Sequence, residues 1–148
     1  MRSLVLAILV AATAALVASS GMARASAGAQ VTLTVRSSAY GTILFDGRGR
    51  ALYAFTRDRR GGSSRCYGAC AQKWPVYFAG GRLLAGKGVK RSLLGTTKRR
   101  DGRRQITYNG RPLYYYSGDK SPGQVLCQNV AEFGGTWLVV RPSGALVR

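Results

Sequence analysis

The stretch VTLTV, Val31 to Val35, alternates apolar residues with threonine, a period of two that predicts a half-buried β-strand. TILF, DGRG and RALYAF then follow between Thr42 and Phe55 and predict a strand, a glycine-rich turn and a second strand. The same figure returns as RQITY, NG and RPLYYY between Arg104 and Tyr116. Asn109-Gly110 is the strongest short hairpin signal available, because both residues tolerate the positive φ that a tight hairpin turn needs. A two-residue turn there makes Tyr108 and Arg111 the first hydrogen-bonded pair and Thr107 and Pro112 the next, non-hydrogen-bonded pair. Pro112 then costs the hairpin no bond, although it denies one to a strand on its other side. Alternation sends Tyr114 and Tyr116 to one face and Leu113 and Tyr115 to the other, with at least one of these faces in the core.

Set side by side, the two hairpins are copies. ALYAFTRD (Ala51 to Asp58) and PLYYYSGD (Pro112 to Asp119) share a leucine, a tyrosine, an aromatic and an aspartate at the same spacing. Cys66 follows Tyr53 at the distance at which Cys127 follows Tyr114, and Trp74 and Trp137 then open the apolar stretches WPVYF and WLVV. The expected fold is mainly β, a single small domain of two pseudo-repeats, each a hairpin, a loop and a Trp-led strand. One short helix is expected near Cys66 to Lys73. The first copy spans about 31–78 and the second about 103–141, joined by a basic, glycine-rich connector at 79–102 in which SLLGTT adds a short strand. Tyr115 matches Ala54, so it is the tyrosine the repeat does not require and the first one to test for a surface contact peculiar to this chain.

Composition narrows the chemistry. Arg2, the apolar run Leu4 to Ala18 and the small residues Ala23 and Ala25 form a secretory leader, expected to be cleaved after Ala25 to leave a mature domain at 26–148. Fifteen apolar residues fall short of the ~20 that span a bilayer. With no histidine in the chain, and with Met1 and Met22 both in the leader, the mature domain holds neither imidazole nor thioether. The usual zinc, copper and haem sites therefore lack ligands, no metal or cofactor is expected, and nucleophile arrangements built on histidine are excluded. The formal net charge of +18 gives a potential that attracts polyanions.

The paired Y-x4-D elements, SRCYGACAQKWP after the first, RRDGRRQITYNGRPLYYY before the second and the closing GGTWLVVRPSG together resemble a bacterial family of secreted repeat proteins and predicted lipoproteins with a conserved Y-x4-D motif. The resemblance runs from about Gly41 to Gly144, nearly the whole mature chain. It implies an exported location and the repeat architecture, with Tyr53, Asp58, Tyr114 and Asp119 as the motif residues, and it implies no reaction. No cysteine precedes Cys66, so the chain lacks the acceptor that a lipid anchor needs, and it is expected to reach the envelope or the exterior unanchored.

Three cysteines in an oxidising compartment leave one unpaired. The family pattern implies Cys66 with Cys70, a pair that also sits one helical turn apart and closes a short loop. The repeat offers a rival, because Cys66 and Cys127 are equivalent positions that can meet near a pseudo-two-fold axis. A thioredoxin-like redox pair fits poorly, since the spacing is CxxxC and no βαβ pattern surrounds it.

Asp58 and Asp119 admit two readings. One makes them a symmetric ligand or catalytic pair facing Tyr53 and Tyr114; the other, favoured because turn residues follow both, has each tie down its loop through backbone hydrogen bonds. A neighbouring Arg57 or Arg59 is available to hold the carboxylate ionised. The basic clusters RDRRGGSSR (Arg57, Arg59, Arg60, Arg65) and KRRDGRR (Lys98, Arg99, Arg100, Arg103, Arg104) suit phosphate-rich polymers, with affinity that falls as salt rises. No nucleic-acid module signature accompanies them. The expected function is a non-enzymatic exported module for anionic wall polymers or lipid headgroups; the competing class is an envelope enzyme or redox accessory using the Tyr/Asp pairs and the cysteines.

Overall fold

The computed structural model describes residues 32–148, so the expected leader lies outside the described residues. Its strands, in chain order, are β1 (Leu33–Ser38), β2 (Gly41–Asp46), β3 (Tyr53–Phe55), β4 (Leu94–Lys98), β5 (Arg104–Tyr108), β6 (Arg111–Tyr114), β7 (Val130–Glu132) and β8 (Gly135–Val139), with one short helix, α1 (Ala69–Lys73). The protein is mainly β and built of two copies of one unit, as its patterning predicts. β1 and β2 form an antiparallel ribbon. The other six strands make one antiparallel sheet in the order β4-β5-β6-β3-β8-β7.

At the centre of that sheet the two copies meet. β3 pairs with β6, Tyr53 opposite Tyr114 and Ala54 opposite Leu113. Equivalent residues that face each other across an antiparallel ladder place a pseudo-two-fold axis between them. The consequence appears on the outer side of each central strand, where the Trp-led segment of the opposite copy is laid down. Tyr53 pairs with Val139 of β8, and Tyr114 bridges to Val76. The Thr56 N–H donates to the Thr136 carbonyl at 3.0 Å, and the Ser117 N–H to the Lys73 carbonyl at 3.0 Å. Each copy therefore completes the other's hairpin. The first Trp-led segment stays a chain of isolated bridges at Val76 and Phe78, because Pro75 has no N–H to continue a ladder.

The Asn109-Gly110 turn adopts positive φ at both residues, 51° and 72°, and sets the register Thr107 to Pro112 and Tyr108 to Arg111 that a two-residue loop dictates. Period-two alternation then divides the side chains between two cores. One face buries Tyr53, Phe55, Tyr114, Trp74 and Trp137; the other buries Leu52, Ala54, Leu113 and Ile106, with Tyr115 packed at its edge. On the first face four rings stack across the axis: Phe55 on Trp137 at 4.2 Å, Trp137 on Trp74 at 4.0 Å, and Trp74 against Tyr116 at 4.9 Å. The order alternates between copies, so the rings bind one copy to the other.

Helix α1 begins at Ala69, three residues later than expected. Gly68, at φ 56° and ψ −130°, adopts a conformation that only glycine enters readily and so delays the helix.

Candidate functional site

The repeated tyrosines and aspartates come together, but crosswise. The Tyr53 hydroxyl donates to Asp119 Oδ2 at 2.7 Å and the Tyr114 hydroxyl to Asp58 Oδ2 at 2.6 Å. The other carboxylate oxygen holds the loop that follows: Asp58 Oδ1 accepts the Arg65 N–H at 2.7 Å, and Asp119 Oδ1 the Leu126 N–H at 3.0 Å. Both tyrosines are 0 % and both aspartates 3 % exposed. Burial raises the two carboxyls above the usual aspartate value, and the opposing pull of the tyrosine hydroxyl and the backbone N–H does not cancel it. Burial likewise pushes the Tyr53 and Tyr114 hydroxyls well above the ordinary phenol. Such a neutral phenol on a shielded carboxylate is a strong hydrogen bond, and all its capacity is spent between the copies and within the loops. Neither Arg57 nor Arg59 pairs with Asp58; Arg99 and Arg65 supply the nearest positive charge.

Cys66 and Cys70 form the disulfide, with Cα atoms 5.3 Å apart, which excludes the Cys66–Cys127 rival. Cys127 is a free, buried thiol beside the Tyr116 hydroxyl, and burial raises its pKa. Among the described residues no three cysteine, histidine or carboxylate side chains gather into a metal-binding group.

The basic residues divide. Arg99 is only 4 % exposed; its guanidinium donates to Gln105 Oε1 and to the Cys66 carbonyl, both at 2.8 Å, and thus ties the connector to the disulfide loop. Arg60 holds the Asn109 carbonyl at 3.0 Å, Arg103 pairs with Asp101 at 2.9 Å, and Arg104 donates to the Thr96 hydroxyl at 2.8 Å. Arg59 and Lys98 are exposed. Arg57, Arg65 and Arg100 instead converge with Ser63, Ser64 and Tyr67 on a cavity of about 330 Å³. Tyr67 holds the arginines in place: the Arg100 guanidinium lies 3.9 Å from its ring centroid, the Arg99 guanidinium 4.2 Å, and the Arg100 backbone N–H donates to its hydroxyl at 3.1 Å. Arg57 is steadied by the Phe133 carbonyl at 3.0 Å. Among the described residues no carboxylate pairs with Arg57, Arg65 or Arg100. Arg57, Arg65 and Arg100 thus line one cavity with Ser63 and Tyr67, and the buried Asp58 carboxylate lies close enough to Arg65 to feel its charge.

Comparison of the copies sets this pocket apart from the scaffold. At the equivalent places, Arg57, Arg60 and Arg65 of the first loop correspond to Gly118, Ser121 and Leu126 of the second, while Asp58 and Asp119 are kept. Ser63 and Tyr67 were not among the residues singled out by composition; the loop-by-loop comparison is the signal that finds the asymmetry, and the fold supplies the rest. Tyr115 is half-buried and not a free surface tyrosine: its hydroxyl donates to Asp46 Oδ2 at 3.0 Å, and the Arg50 guanidinium covers its ring at 4.2 Å.

No curated protein and no solved structure matches the chain. Two stretches, residues 34–77 and 95–141, match the model of a family described as a secreted repeat of unknown function, the second stretch taking in β4 as well as the later hairpin. These stretches hold both Tyr/Asp motifs and both stacked tryptophans, and the chain belongs to this family of secreted repeat proteins.

Proposed function

We propose that the protein is a non-enzymatic exported module that docks on anionic polymers or lipid headgroups of the cell envelope, with the first-copy loop as its contact. The observation that carries this reading is the pocket of Arg57, Arg65 and Arg100, none of which forms a salt bridge among the described residues: Arg57 and Arg65 come from the first copy and are Gly118 and Leu126 in the second, and Arg100 joins them from the connector. A scaffold requirement would appear in both copies, as the Tyr/Asp pairs do. The formal net charge of +18 adds long-range attraction for the same class of partner. The Tyr/Asp pairs support it from the other side, since their hydrogen bonds are spent inside the fold.

The test uses long-chain polyphosphate and phosphatidylglycerol vesicles as probes. Binding is expected at low salt and is expected to weaken steeply as salt is raised, because counterions are released on contact. The triple variant Arg57→Ala, Arg65→Ala, Arg100→Ala is expected to lose most of the affinity. A control of equal charge loss, Lys87→Ala, Lys120→Ala, Arg148→Ala, removes exposed cations outside the pocket and is expected to lose little. Equal losses in the two triples would reduce the interaction to net charge and remove the pocket from it. Failure of the unmodified protein to bind either probe at low salt would sink the reading altogether.

A further inference from the structure

A second cavity, of about 610 Å³, lies between the second hairpin, the connector and the Asp46–Arg48 turn of the first hairpin. That volume is in the range of small-molecule sites. Its wall is formed by Val76, Tyr77, Leu83, Leu84, Ile106 and Tyr115. The two tyrosine rings lie 5.1 Å apart at 53°, and both hydroxyls are occupied: that of Tyr77 by the Thr32 carbonyl at 2.5 Å and that of Tyr115 by Asp46. The aromatic faces, and not the hydroxyls, are what this wall has to offer. Arg48 and Arg82 also line the cavity. Both are exposed, and no carboxylate pairs with either among the described residues. The one acid in the lining, Asp46, is saturated by the N–H groups of Arg48 and Arg50 at 2.9 and 2.8 Å and by Tyr115 at 3.0 Å.

The pseudo-two-fold axis supplies an internal control. In the other half, Val140 stands where Tyr77 does and Ala54 where Tyr115 does. There the C-terminal segment pairs back along the end of β8 and sends Leu146 into the second core: Val140 bridges to Leu146, and the Val147 N–H donates to the Val139 carbonyl at 3.0 Å. On the cavity's side the covering segment is the connector, which is fastened to Thr32 by the Leu84 N–H at 2.9 Å and passes Gly80 and Gly81 with no side chain to fill the space. The aromatic lining thus lies under a cover that is pinned at its two ends, by Ala79 to Arg104 and by Leu84 and Gly86 to Thr32 and Leu33, and carries glycines between them.

We propose that this cleft is a binding site for a small amphiphilic anion, an apolar or aromatic body bearing a single carboxylate or sulfonate head, with the body against Tyr77, Tyr115 and Ile106 and the head between Arg48 and Arg82. Charge complementarity decides the head, since Arg48 and Arg82 line the cavity with two positive charges against the single Asp46 carboxylate, whose oxygens are already taken by the Arg48 and Arg50 N–H groups and the Tyr115 hydroxyl. The site is separate from the arginine pocket of the first-copy loop and does not depend on that pocket's function.

The probe is 1-anilinonaphthalene-8-sulfonate, an aromatic sulfonate of this class, followed by its fluorescence at about 0.15 M salt, where attraction by charges more than about 8 Å away is largely screened and direct contact with an arginine is not. Saturable binding of one probe per chain is expected, displaced by decanoate and not by the same concentration of inorganic phosphate. Near-ultraviolet circular dichroism identifies folded variants, because the dye also binds loosened cores. Arg48→Ala with Arg82→Ala is expected to weaken binding about tenfold or more, about 1.4 kcal/mol, and Leu83→Trp to block it by filling the cleft. The triple variant at Arg57, Arg65 and Arg100 is expected to bind the probe unchanged. The proposal is overturned if the Arg48/Arg82 and Leu83 variants bind like the unmodified protein. It is overturned equally if phosphate displaces the probe as well as decanoate does, or if a chain beginning at Thr32 binds far more tightly than one beginning at Ser26, which would make the preceding segment the natural occupant.

Discussion

Tyr53 and Asp119 belong to different copies, and so do Tyr114 and Asp58, which makes each hydrogen bond a clasp between copies. The two clasps are not equally insured. The Tyr114 hydroxyl also lies 2.7 Å from Ser64 Oγ, so it keeps an acceptor when Asp58 is removed; the Tyr53 hydroxyl has the Cys127 backbone N–H as its other neighbour, a donor, and among the described residues only Asp119 accepts from it. An orphaned buried donor costs about 1–3 kcal/mol. Asp119→Ala orphans the Tyr53 hydroxyl and frees the Leu126 N–H, whereas Asp58→Ala frees only the Arg65 N–H, and Leu126 and Arg65 both lie at the surface, so the hydroxyl makes the difference. Asp119→Ala is therefore expected to destabilise more than Asp58→Ala by about 1–3 kcal/mol, read as the difference between their urea midpoints at equal m-values. The reverse order would mean that the carboxylates act mainly within their own loops. That both aspartates hold loops was legible from the turn residues after them; that each tyrosine reaches the opposite aspartate was not, because a repeat reveals which positions are equivalent and leaves open which copy supplies the partner.

Local chemistry decides the elements unevenly. The second hairpin was readable to the residue pair, since Asn109-Gly110 permits one turn geometry and that geometry fixes the register. α1 was readable only as a region, because the conformation of Gly68, and not side-chain periodicity, sets its start. The first Trp-led segment was misleading in the opposite way: its apolar run suggests a strand, while Pro75 leaves it a set of bridges. Steric room around the turn gives an element-scale test. Gly110 and Gly61 both have positive φ, 72° and 78°, and their backbones are joined by a 2.7 Å hydrogen bond. A Cβ at Gly110 would meet the Gly61 backbone nitrogen at 2.9 Å, whereas one at Gly61 meets nothing within 4 Å. Gly61→Ala thus carries only the left-handed conformational cost of about 1–2 kcal/mol, and Gly110→Ala carries that cost plus a backbone clash. Thermal melts are expected to place Gly110→Ala clearly below Gly61→Ala, and equal melting temperatures would show that the hairpin tip does not bear on the first-copy loop.

At the scale of the whole molecule, the pairings at the centre of the sheet cross between copies, while β4–β5, β5–β6 and β7–β8 lie within the second half of the chain. β3 has β6 on one side and β8 on the other, both from the second copy, and the first Trp-led segment lies on β6. The ring stack alternates Phe55, Trp137, Trp74, Tyr116. What remains inside the first copy alone is the β1–β2 ribbon, the Phe45–Ala51 bridge and α1 with its disulfide. A two-stranded ribbon of this kind is marginal in water by itself, and a segment that exposes Tyr53, Phe55 and Trp74 leaves unburied about 1.5–3 kcal/mol of transfer free energy for each such large side chain. The connector offers a place to divide the chain, since its first part is bonded to Thr32 and Leu33 and its second part forms β4 against β5. Residues 26–88 and 89–148, prepared as separate chains, are each expected to lack the near-ultraviolet circular dichroism of packed tryptophans. Mixed in equal amounts, they are expected to regain it, because the partner that each fragment misses is the other fragment. The recovery should depend on concentration and should be lost when Trp137→Ala is carried by the second fragment, a change that costs about 3–5 kcal/mol in a packed core. A first fragment that folds alone, with its tryptophan signal intact, would show that the copies are independent units that only touch.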